Sequence, residues 1–542
     1  MRLLNSKTLE IEEFYGDDTP KYAILSHRWL DGEVSLKDMD NGAAKAKAGY
    51  NKIKLCCEQA AKDGIGYAWV DTCCIDKTSS AELSEAINCM YNWYEGAQIC
   101  YVYLSDVHSK DASDPSFAKS AWFTRGWTLQ ELIAPQAITF YNSKWQTLGT
   151  KDSLRVSIAA ITDIDLAALQ PEAEMHKFSV AKRMSWAAGR RTTRVEDVAY
   201  SLLGLFQVNM PMLYGEGKRA FVRLQEEIMK NSDDQSIFAW TNPGKTLRGL
   251  LAASPDEFAK CSFIIPSASR MNAKPYAVTN KGLSIQLAMM PWHMGIFLAI
   301  LDCERSDRPD SKLGIYLHMY QEKDQYARTT VLDEDLQVIY KFSPDLAPRN
   351  VYVRHHNYRH GPIQSRLYGF YIRNLPFDPR AVETEMVPSH RWSPLERTVE
   401  IPMGKSGTAI CIENNRAGFS AKFGFDSEFQ PVCYLAGAGV FRGKSKEELM
   451  DPSWMTTQSW EVEQNVLRSW PSLGSVVHNG WKIKLLETSV GTKRTWVIDI
   501  VDADSDEFGV VAQCDGCNLV SSRSYEASVI GQETIGPMLT AF

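Results

Sequence analysis

Polar and aromatic side chains follow two apolar runs of the sequence, at the points where those runs end. They are Ser26, Arg28 and Trp29 after the first run and Asp71 and Lys77 after the second. Ligands of open α/β sheets bind beyond the carboxyl ends of the strands. An arginine or lysine in that place suits an anionic group, and a tryptophan can stack on a ring. These five residues are therefore candidates for substrate binding.

A third group lies further along the chain. Trp127 and Glu131 are four residues apart in a segment whose pattern predicts a helix from about 120 to 133, so they share one helical face. An indole beside a carboxylate excludes water and strengthens the field of that carboxylate. Arg125 precedes this pair and completes the set of candidates.

Each candidate has a structural alternative. Glu131 is either a functional carboxylate or a solvated one, as most helical glutamates are. Trp122 and Trp127 are more typical of core or interface anchors than of residues that stack on a substrate. Arg125 pairs either with a carboxylate of the domain or with a phosphate. Asp71 either contacts a ligand or caps the turn after its strand.

Other catalytic and metal patterns are disfavoured. Ser26 and the adjacent His27 sit on a strand, so their side chains point to opposite faces and cannot act as nucleophile and base, and no G-x-S-x-G motif exists. The Cys56-Cys57 and Cys73-Cys74 pairs lack C-x-x-C spacing. We therefore expect free thiols and no metal site, and the lone C-x-x-C at 514–517 suits a turn.

The elements that position the candidates alternate along the first 145 residues. Apolar runs at 22–26, 67–71, 99–104 and 137–141 predict buried strands. Helical spacing predicts helices after the first two runs, the second with the capping pair Ser79 and Glu82, and the helix from about 120 to 133 precedes the fourth. The order β-α-β-α-β-α-β predicts a parallel sheet with helices on both faces.

Beyond residue 150 the spacing of the apolar residues changes. Residues 151–232 read as a helical extension, in which 195–206 and 217–230 have helical spacing, and 233–275 read as a linker. From 276 to 542 short alternating runs predict a mainly antiparallel β-rich domain, with strands in 295–304, 312–320, 367–375, 408–414, 481–488 and 494–502. With the α/β domain at 1–150, this gives four parts.

Composition narrows the functional classes. The chain has 542 residues, 44% of them hydrophobic and 23% charged, with a net charge of −7, so it is globular and has no broad basic field for nucleic acid. The N-terminus is too polar for a signal peptide, and no run approaches the roughly 18 apolar residues of a membrane span. We expect a cytoplasmic protein with no membrane span.

Three blocks in order resemble the fungal heterokaryon-incompatibility (HET) domain. They are YAILSHRW at 22–29, the stretch from YAWVDTCCIDK to YVYLSDV at 67–107, and SAWFTRGWTLQELIAPQAITFY at 120–141. The segment 179–228 is similar to the one that follows this domain in many fungal members, and the C-terminal part shows no comparable likeness. The resemblance implies an effector of vegetative incompatibility that triggers cell death when non-self is sensed.

The HET domain is itself thought to be a distant relative of Toll/interleukin-receptor (TIR) domains, which have a flavodoxin-like fold. Some TIR domains hydrolyse NAD at the nicotinamide–ribose bond with a glutamate in a Trp-x-x-x-Glu context. The corresponding residues here are Trp127 and Glu131. The resemblance thus implies NAD as a substrate with no cofactor, and self-association of HET domains on activation. The alternatives are a non-catalytic module that assembles a death complex with an unknown incompatibility partner, and a sensor whose C-terminal domain binds a ligand.

Overall fold

The structure is a computed structural model. It describes residues 1–242, 247–267, 275–293, 296–309, 311–319, 325–330, 336–339, 348–354, 367–374, 392–393, 398–402, 419–425, 431–437, 475–478, 481–490 and 493–502. The chain forms two units. The first comprises Met1–Asn242, Gly249–Gln286 and Leu301–Leu313, and the second comprises Pro243–Arg248, Leu287–Ile300 and Gly314–Phe542.

The first unit contains a seven-stranded mixed sheet in the order β2-β1-β4-β3-β5-β6-β7. Its strands are β1 Arg2–Asn5, β2 Ile11–Glu13, β3 Tyr22–His27, β4 Tyr67–Trp69, β5 Ile99–Tyr103, β6 Ile138–Tyr141 and β7 Thr147–Thr150. The four predicted strands are confirmed as β3 to β6, and they pair in parallel. The expectation of a parallel sheet missed β1, β2 and β7, which add antiparallel pairs at the two edges.

The direction of the crossovers decides where the helices lie. The chain passes from β3 to β4 on one side of the sheet centre and then from β4 to β5 on the other side of β3. Because crossovers are right-handed, this reversal puts the two connecting helices on opposite faces. Every residue of β3 is buried, as expected for a strand covered on both faces. The carboxyl end of β3 therefore lies at the reversal of strand order, where ligands of such sheets bind.

Nine α-helices belong to the described part of the first unit. They are α1 Leu36–Asp40, α2 Tyr50–Lys62, α3 Ser80–Gly96, α4 Pro115–Ala118, α5 Thr128–Ile133, α6 Arg155–Thr162, α7 Val180–Ala187, α8 Asp197–Tyr200 and α9 Arg219–Asn231. Short 3-10 helices occupy Gly16–Asp18, Ala44–Ala46, Ala121–Thr124, Met175–Lys177, Gly204–Phe206, Gln235–Phe238 and Pro255–Phe258. In the part of the chain that is described, no helix has both the length and the apolarity needed to cross a bilayer.

The capping pair of α3 forms only half of a capping box. The Ser79 hydroxyl accepts a hydrogen bond from the Glu82 amide at 3.3 Å, as predicted. The Glu82 carboxylate instead accepts from the Asp76 amide at 2.8 Å and from Arg2. The helix start is thus tied to the preceding loop and to β1.

The helix predicted from about 120 to 133 is wrong in its first half. Residues Ala121–Thr124 form a 3-10 turn, and α5 begins only at Thr128. The break is stabilised by a segment distant in sequence, because the Gly126 amide donates to the Arg191 carbonyl at 2.9 Å and the Arg191 amide donates to the Thr124 carbonyl at 2.7 Å. Tertiary backbone pairing thus replaces the first turns of the expected helix.

The helix predicted over 195–206 is also interrupted, since α8 ends at Tyr200 and a 3-10 turn follows at Gly204–Phe206. Gly204 packs against Tyr91 of α3 so closely that an added Cβ would lie 2.0 Å from the Tyr91 Cβ. The helix predicted over 217–230 is confirmed as α9. Much of the predicted linker is buried in the first unit, for example Trp240, whose indole donates to the Leu250 carbonyl at 2.8 Å. The four-part division stays a prediction.

The rest of the described chain consists mainly of strands, as the alternating runs predict. They are β8 Leu247–Arg248, β9 Ile264–Pro266, β10 Ala277–Thr279, β11 Gly282–His293, β12 Ile296–Leu301, β13 Cys303–Arg305, β14 Lys312–Met319, β15 Gln325–Thr329, β16 Leu336–Ile339, β17 Arg349–Val353, β18 Leu367–Asn374, β19 Trp392–Ser393, β20 Thr398–Pro402, β21 Phe419–Phe425, β22 Pro431–Gly437, β23 Ser475–His478, β24 Trp481–Val490 and β25 Lys493–Asp502. The pairing is mainly antiparallel, with parallel pairs β15–β17 and β18–β25. The strand predicted at 408–414 lies outside the described residues.

Candidate functional site

Glu131 lies in α5 and points to the carboxyl end of β3. Its Oε2 accepts a hydrogen bond from the Ser26 hydroxyl, which in turn accepts from the Trp122 indole at 2.8 Å. The Tyr94 hydroxyl donates to the Leu25 carbonyl at 3.2 Å and lies near the same carboxyl group. Because Ser26, Trp122 and Tyr94 are themselves buried, Glu131 is only 7% exposed. The carboxyl group is thus fixed inside a hydrogen-bonded network.

Burial governs the charge of this carboxyl group. The pKa of Glu131 is raised to about 8, mainly by desolvation and also by the nearby Asp71. The Ser26 hydrogen bond, the positive Arg125 and Tyr94 act in the opposite direction. At neutral pH the group is therefore mostly a neutral acid in this conformation.

The loops after β3 and β4 bring three predicted residues together. The Trp29 indole donates to Asp71 Oδ2 at 2.7 Å, and Lys77 Nζ lies 3.5 Å from the centroid of the Trp29 ring. Trp29 is 49% exposed, so this cluster faces solvent. Partial burial lowers the pKa of Lys77, while Asp71 opposes that shift. One face of the indole is thus occupied by a lysine, as in a cation–π pair.

The other predicted residues have separate partners. Arg28 pairs with Asp106 at 3.5 Å, and both side chains are partly buried. Trp127 lies near the buried Asp197, where it partly offsets the rise in the pKa of Asp197 that burial causes. The indole linked to Glu131 is therefore that of Trp122, and the link runs through the Ser26 hydroxyl. The spacing of four residues between Trp127 and Glu131 did not predict this partner.

Arg190, in the segment predicted to be a helical extension, is hydrogen-bonded to the start of α5. The buried Arg190 donates from Nη1 to the Arg125 carbonyl at 3.0 Å and to the Thr128 hydroxyl at 3.2 Å. Burial lowers the pKa of Arg190 to about 10, and the charge of Glu131 opposes this. Arg190 was not among the predicted residues, because these two partners lie 65 and 62 residues away in sequence.

Ser26 and His27 point to opposite faces of the sheet, as the strand pattern predicts. Ser26 contacts Glu131 of α5. His27 instead lies near Glu33, and the positive charge of Lys52 in α2 contributes to lowering the pKa of His27. In the sequence, His27 bears only on the excluded dyad with Ser26, and the environment of its ring is not visible there. A histidine at the carboxyl end of a central strand was the available signal.

The described residues contain no group of three or more His, Cys, Asp or Glu side chains suited to a metal. The eight cysteines whose side chains are described are free thiols, as predicted. Burial raises the pKa of Cys56, Cys57 and Cys100, and the neighbouring Cys74 together with burial raises that of Cys73, so these thiols are poor nucleophiles.

Comparisons with known proteins bear on the same segment. The family "Heterokaryon incompatibility protein (HET)" matches residues 22–118, which hold β3 to β5 and the loops after β3 and β4. Residues 22–118 form a HET domain. A domain of unknown function (DUF8212) matches residues 219–255.

The chain also has a curated relative. The chain is 49% identical over 244 residues to "Vegetative incompatibility protein HET-E-1" of Podospora anserina. That match covers 43% of this chain but only 18% of the relative, so most of the relative has no counterpart in it. No solved structure is significantly similar to the chain.

Proposed function

We propose that this chain is an effector of heterokaryon incompatibility that triggers cell death on non-self recognition. The observation that carries this proposal is the 49% identity, over 244 residues, to a protein named for vegetative incompatibility. The HET match to residues 22–118 supports it independently. We place the protein in the cytoplasm, with the effector in residues 1–232 and recognition of an unknown partner in the β-rich residues 276–542, joined by 233–275.

For the mechanism we propose a TIR-like HET domain that hydrolyses NAD at the nicotinamide–ribose bond. Water attacks the anomeric carbon, the bond to nicotinamide breaks, and positive charge builds on the ribose ring. An ionised Glu131 would stabilise that charge. Support comes from the reversed strand order, which brings the carboxyl end of β3 to the usual ligand edge, and from the Ser26 contact that sets Glu131 beside it.

The burial of Glu131 suggests how such an enzyme would be held inactive. A neutral carboxyl group cannot stabilise an oxocarbenium-like charge, and burial is what keeps it neutral here. A rearrangement that exposes Glu131 would lower its pKa and supply the carboxylate. Self-association of HET domains is the trigger that we propose for this change.

A second candidate function follows from the same burial. Glu131 is 7% exposed and bonded to Ser26, which suits a residue that holds α5 against the sheet. In that case the HET domain is a non-catalytic module that assembles a death complex. Its surfaces, and not Glu131, would then carry the signal.

Expression in yeast separates the two candidates. Wild type, Glu131→Gln and a control Glu95→Gln, which removes an exposed carboxylate of α3, are compared for NAD content and viability. The enzyme hypothesis expects wild type and control to deplete NAD before death and Glu131→Gln to do neither. Death without NAD loss, or a Glu131→Gln form that kills as wild type does, supports the assembly module.

Nicotinamide release by the purified full-length chain gives a direct test, with and without fusion to an inducible dimerisation domain. Activity that appears only on dimerisation supports both catalysis and self-association. If neither form releases nicotinamide while yeast expression still kills, the catalytic mechanism is refuted and the incompatibility role is not.

A further inference from the structure

His27 is a buried histidine whose ring has no hydrogen-bond partner within the described part of the chain. Its side chain is 0% exposed, and neither Nδ1 nor Nε2 is hydrogen-bonded. Nε2 lies 3.7 Å from Asp71 Oδ1 and 4.0 Å from Glu33 Oε2, both longer than a hydrogen bond. Buried polar atoms are almost always paired with protein or with ordered water, so the partner of this ring is a group from outside the protein, either a water or a ligand.

The imidazole is neutral. Burial lowers the pKa of His27 to about 3, and the positive Lys52 contributes in the same direction. One ring nitrogen is then a donor and the other an acceptor. The contacts to Asp71 and Glu33 are therefore not ion pairs, and Nε2–H is the tautomer that suits two facing carboxylates.

In each of the two carboxylates, one oxygen accepts hydrogen bonds from the protein and the other faces His27. Glu33 Oε1 accepts from Lys52 and from the Leu30 amide at 2.7 Å, while Glu33 Oε2 is buried without a partner. Asp71 Oδ2 accepts from Trp29, while Oδ1 faces the imidazole. The two side chains are 16% and 19% exposed, whereas His27 Nε2 and Glu33 Oε2 are themselves buried, so a ligand reaches these two atoms only when the loops after β3 and β4 move apart.

The charges around this group select the ligand. Lys52 pairs with Glu33, and Lys77 lies close enough to Asp71 to feel its charge, so the cluster has little net charge. Two facing carboxylates repel an anion, and two lysines repel a cation. A neutral group remains that can accept from the imidazole and donate to a carboxylate. A hydroxyl does both, and the two carboxylates call for two of them.

We infer that His27, Glu33 and Asp71 bind the vicinal diol of a ribose, with Trp29 and Lys77 at the rim next to the rest of a ribonucleotide. This inference rests on the proposed function, since it names how that site holds its substrate. One hydroxyl accepts from His27 Nε2–H and donates to Asp71 Oδ1, and its neighbour donates to Glu33 Oε2. Glu131, on the opposite face of β3, takes no part in these contacts.

Binding of ADP-ribose tests this inference without any cleavage, because the probe carries no nicotinamide. Calorimetry on the full chain compares ADP-ribose with two analogues, one lacking the 2-hydroxyl of the adenosine ribose and one lacking that of the terminal ribose. We expect one analogue to bind about tenfold more weakly or worse, because its missing hydroxyl leaves a buried acceptor unpaired. Equal binding of all three probes, or no binding of ADP-ribose, overturns the inference.

Variants add a readout that mere loss of folding would not produce. Asp71→Asn is expected to abolish the preference for the diol, so that the parent and the weak analogue bind alike. Asp76→Asn makes the same change in the same loop, where the carboxylate accepts from Thr78 at 2.6 Å, and should keep the preference. A preference that survives Asp71→Asn would refute the assignment. Diol recognition without nicotinamide release would refute only the catalytic proposal, and release without it only this inference.

Discussion

Replacement of Glu131 by glutamine should stabilise the protein at neutral pH. The wild-type carboxyl group is buried, and burial raises its pKa to about 8, whereas an unfolded glutamate titrates near 4.5. Glutamine has nearly the same shape, stays neutral at every pH and can still accept from Ser26. The variant therefore removes the titration and keeps most of the packing.

The sign and size follow from proton linkage. Between the unfolded and folded pKa the native state binds more protons, so the free energy of unfolding falls as pH rises, by about 1.4 kcal/mol per pH unit. The full contribution is present below the unfolded pKa and is lost as pH rises toward 8. By pH 7 the loss amounts to roughly 3 kcal/mol. Glutamine has no such loss.

Thermal melting of wild type and Glu131→Gln at pH 5 and pH 7.5 measures this effect. We expect the variant to gain about 5 °C relative to wild type between the two pH values. The control Glu95→Gln, at an exposed position of α3, should give a difference that is the same at both. Taking differences between proteins cancels the titration of all other groups.

One result would refute the reasoning. If Glu131→Gln loses stability relative to wild type as pH rises, the carboxyl group is ionised in the native state, and a cation such as Arg190 stabilises it. The proposal of a neutral resting state would then be wrong. A catalytic Glu131 would need no rearrangement to become charged.

Three further changes test the packing around the site. Gly126→Ala would set a Cβ 2.4 Å from Thr192 Cγ2, so we expect a loss of about 1–3 kcal/mol in urea unfolding, which Thr192→Ala should largely restore in the double variant. Burial lowers the pKa of Lys151 to about 8, so wild type should gain on the order of 2 kcal/mol over Lys151→Met from pH 8 to 10, and a flat difference in melting temperature would contradict this. Thr72→Val removes a buried hydroxyl that has no hydrogen-bond partner among the described residues, so we expect no loss of melting temperature. A melting temperature clearly below that of wild type would show that the hydroxyl is paired.

Local sequence patterns predicted the central strands well. The runs at 22–26, 67–71, 99–104 and 137–141 correspond to β3 to β6 within two residues at each end. A strand buried on both faces must be apolar at every position, so it is visible in the sequence itself. The outer strands β1, β2 and β7 have only three or four residues each and are at least partly exposed, so they carry no such mark.

The candidate site was predicted less completely. The loops after β3 and β4 were expected to converge, and the Trp29–Asp71 and Trp29–Lys77 contacts show that they do. The partners of Glu131 were not foreseen, because Ser26 is 105 residues away in sequence and Trp122 lies in the half of the helix that does not form. Spacing along a helix can relate only residues of that helix.

The sequence by itself determined the alternation of strands and helices, and with it the edge of the sheet at which polar residues gather, because periodicity and apolar content are local properties. Tertiary structure alone decided the charge state of Glu131, the burial of His27 between two carboxylates and the break at Gly126. Each of these depends on desolvation or on backbone contact by segments distant in the chain. A pKa and a hydrogen bond are properties of an environment, and that environment exists only after folding.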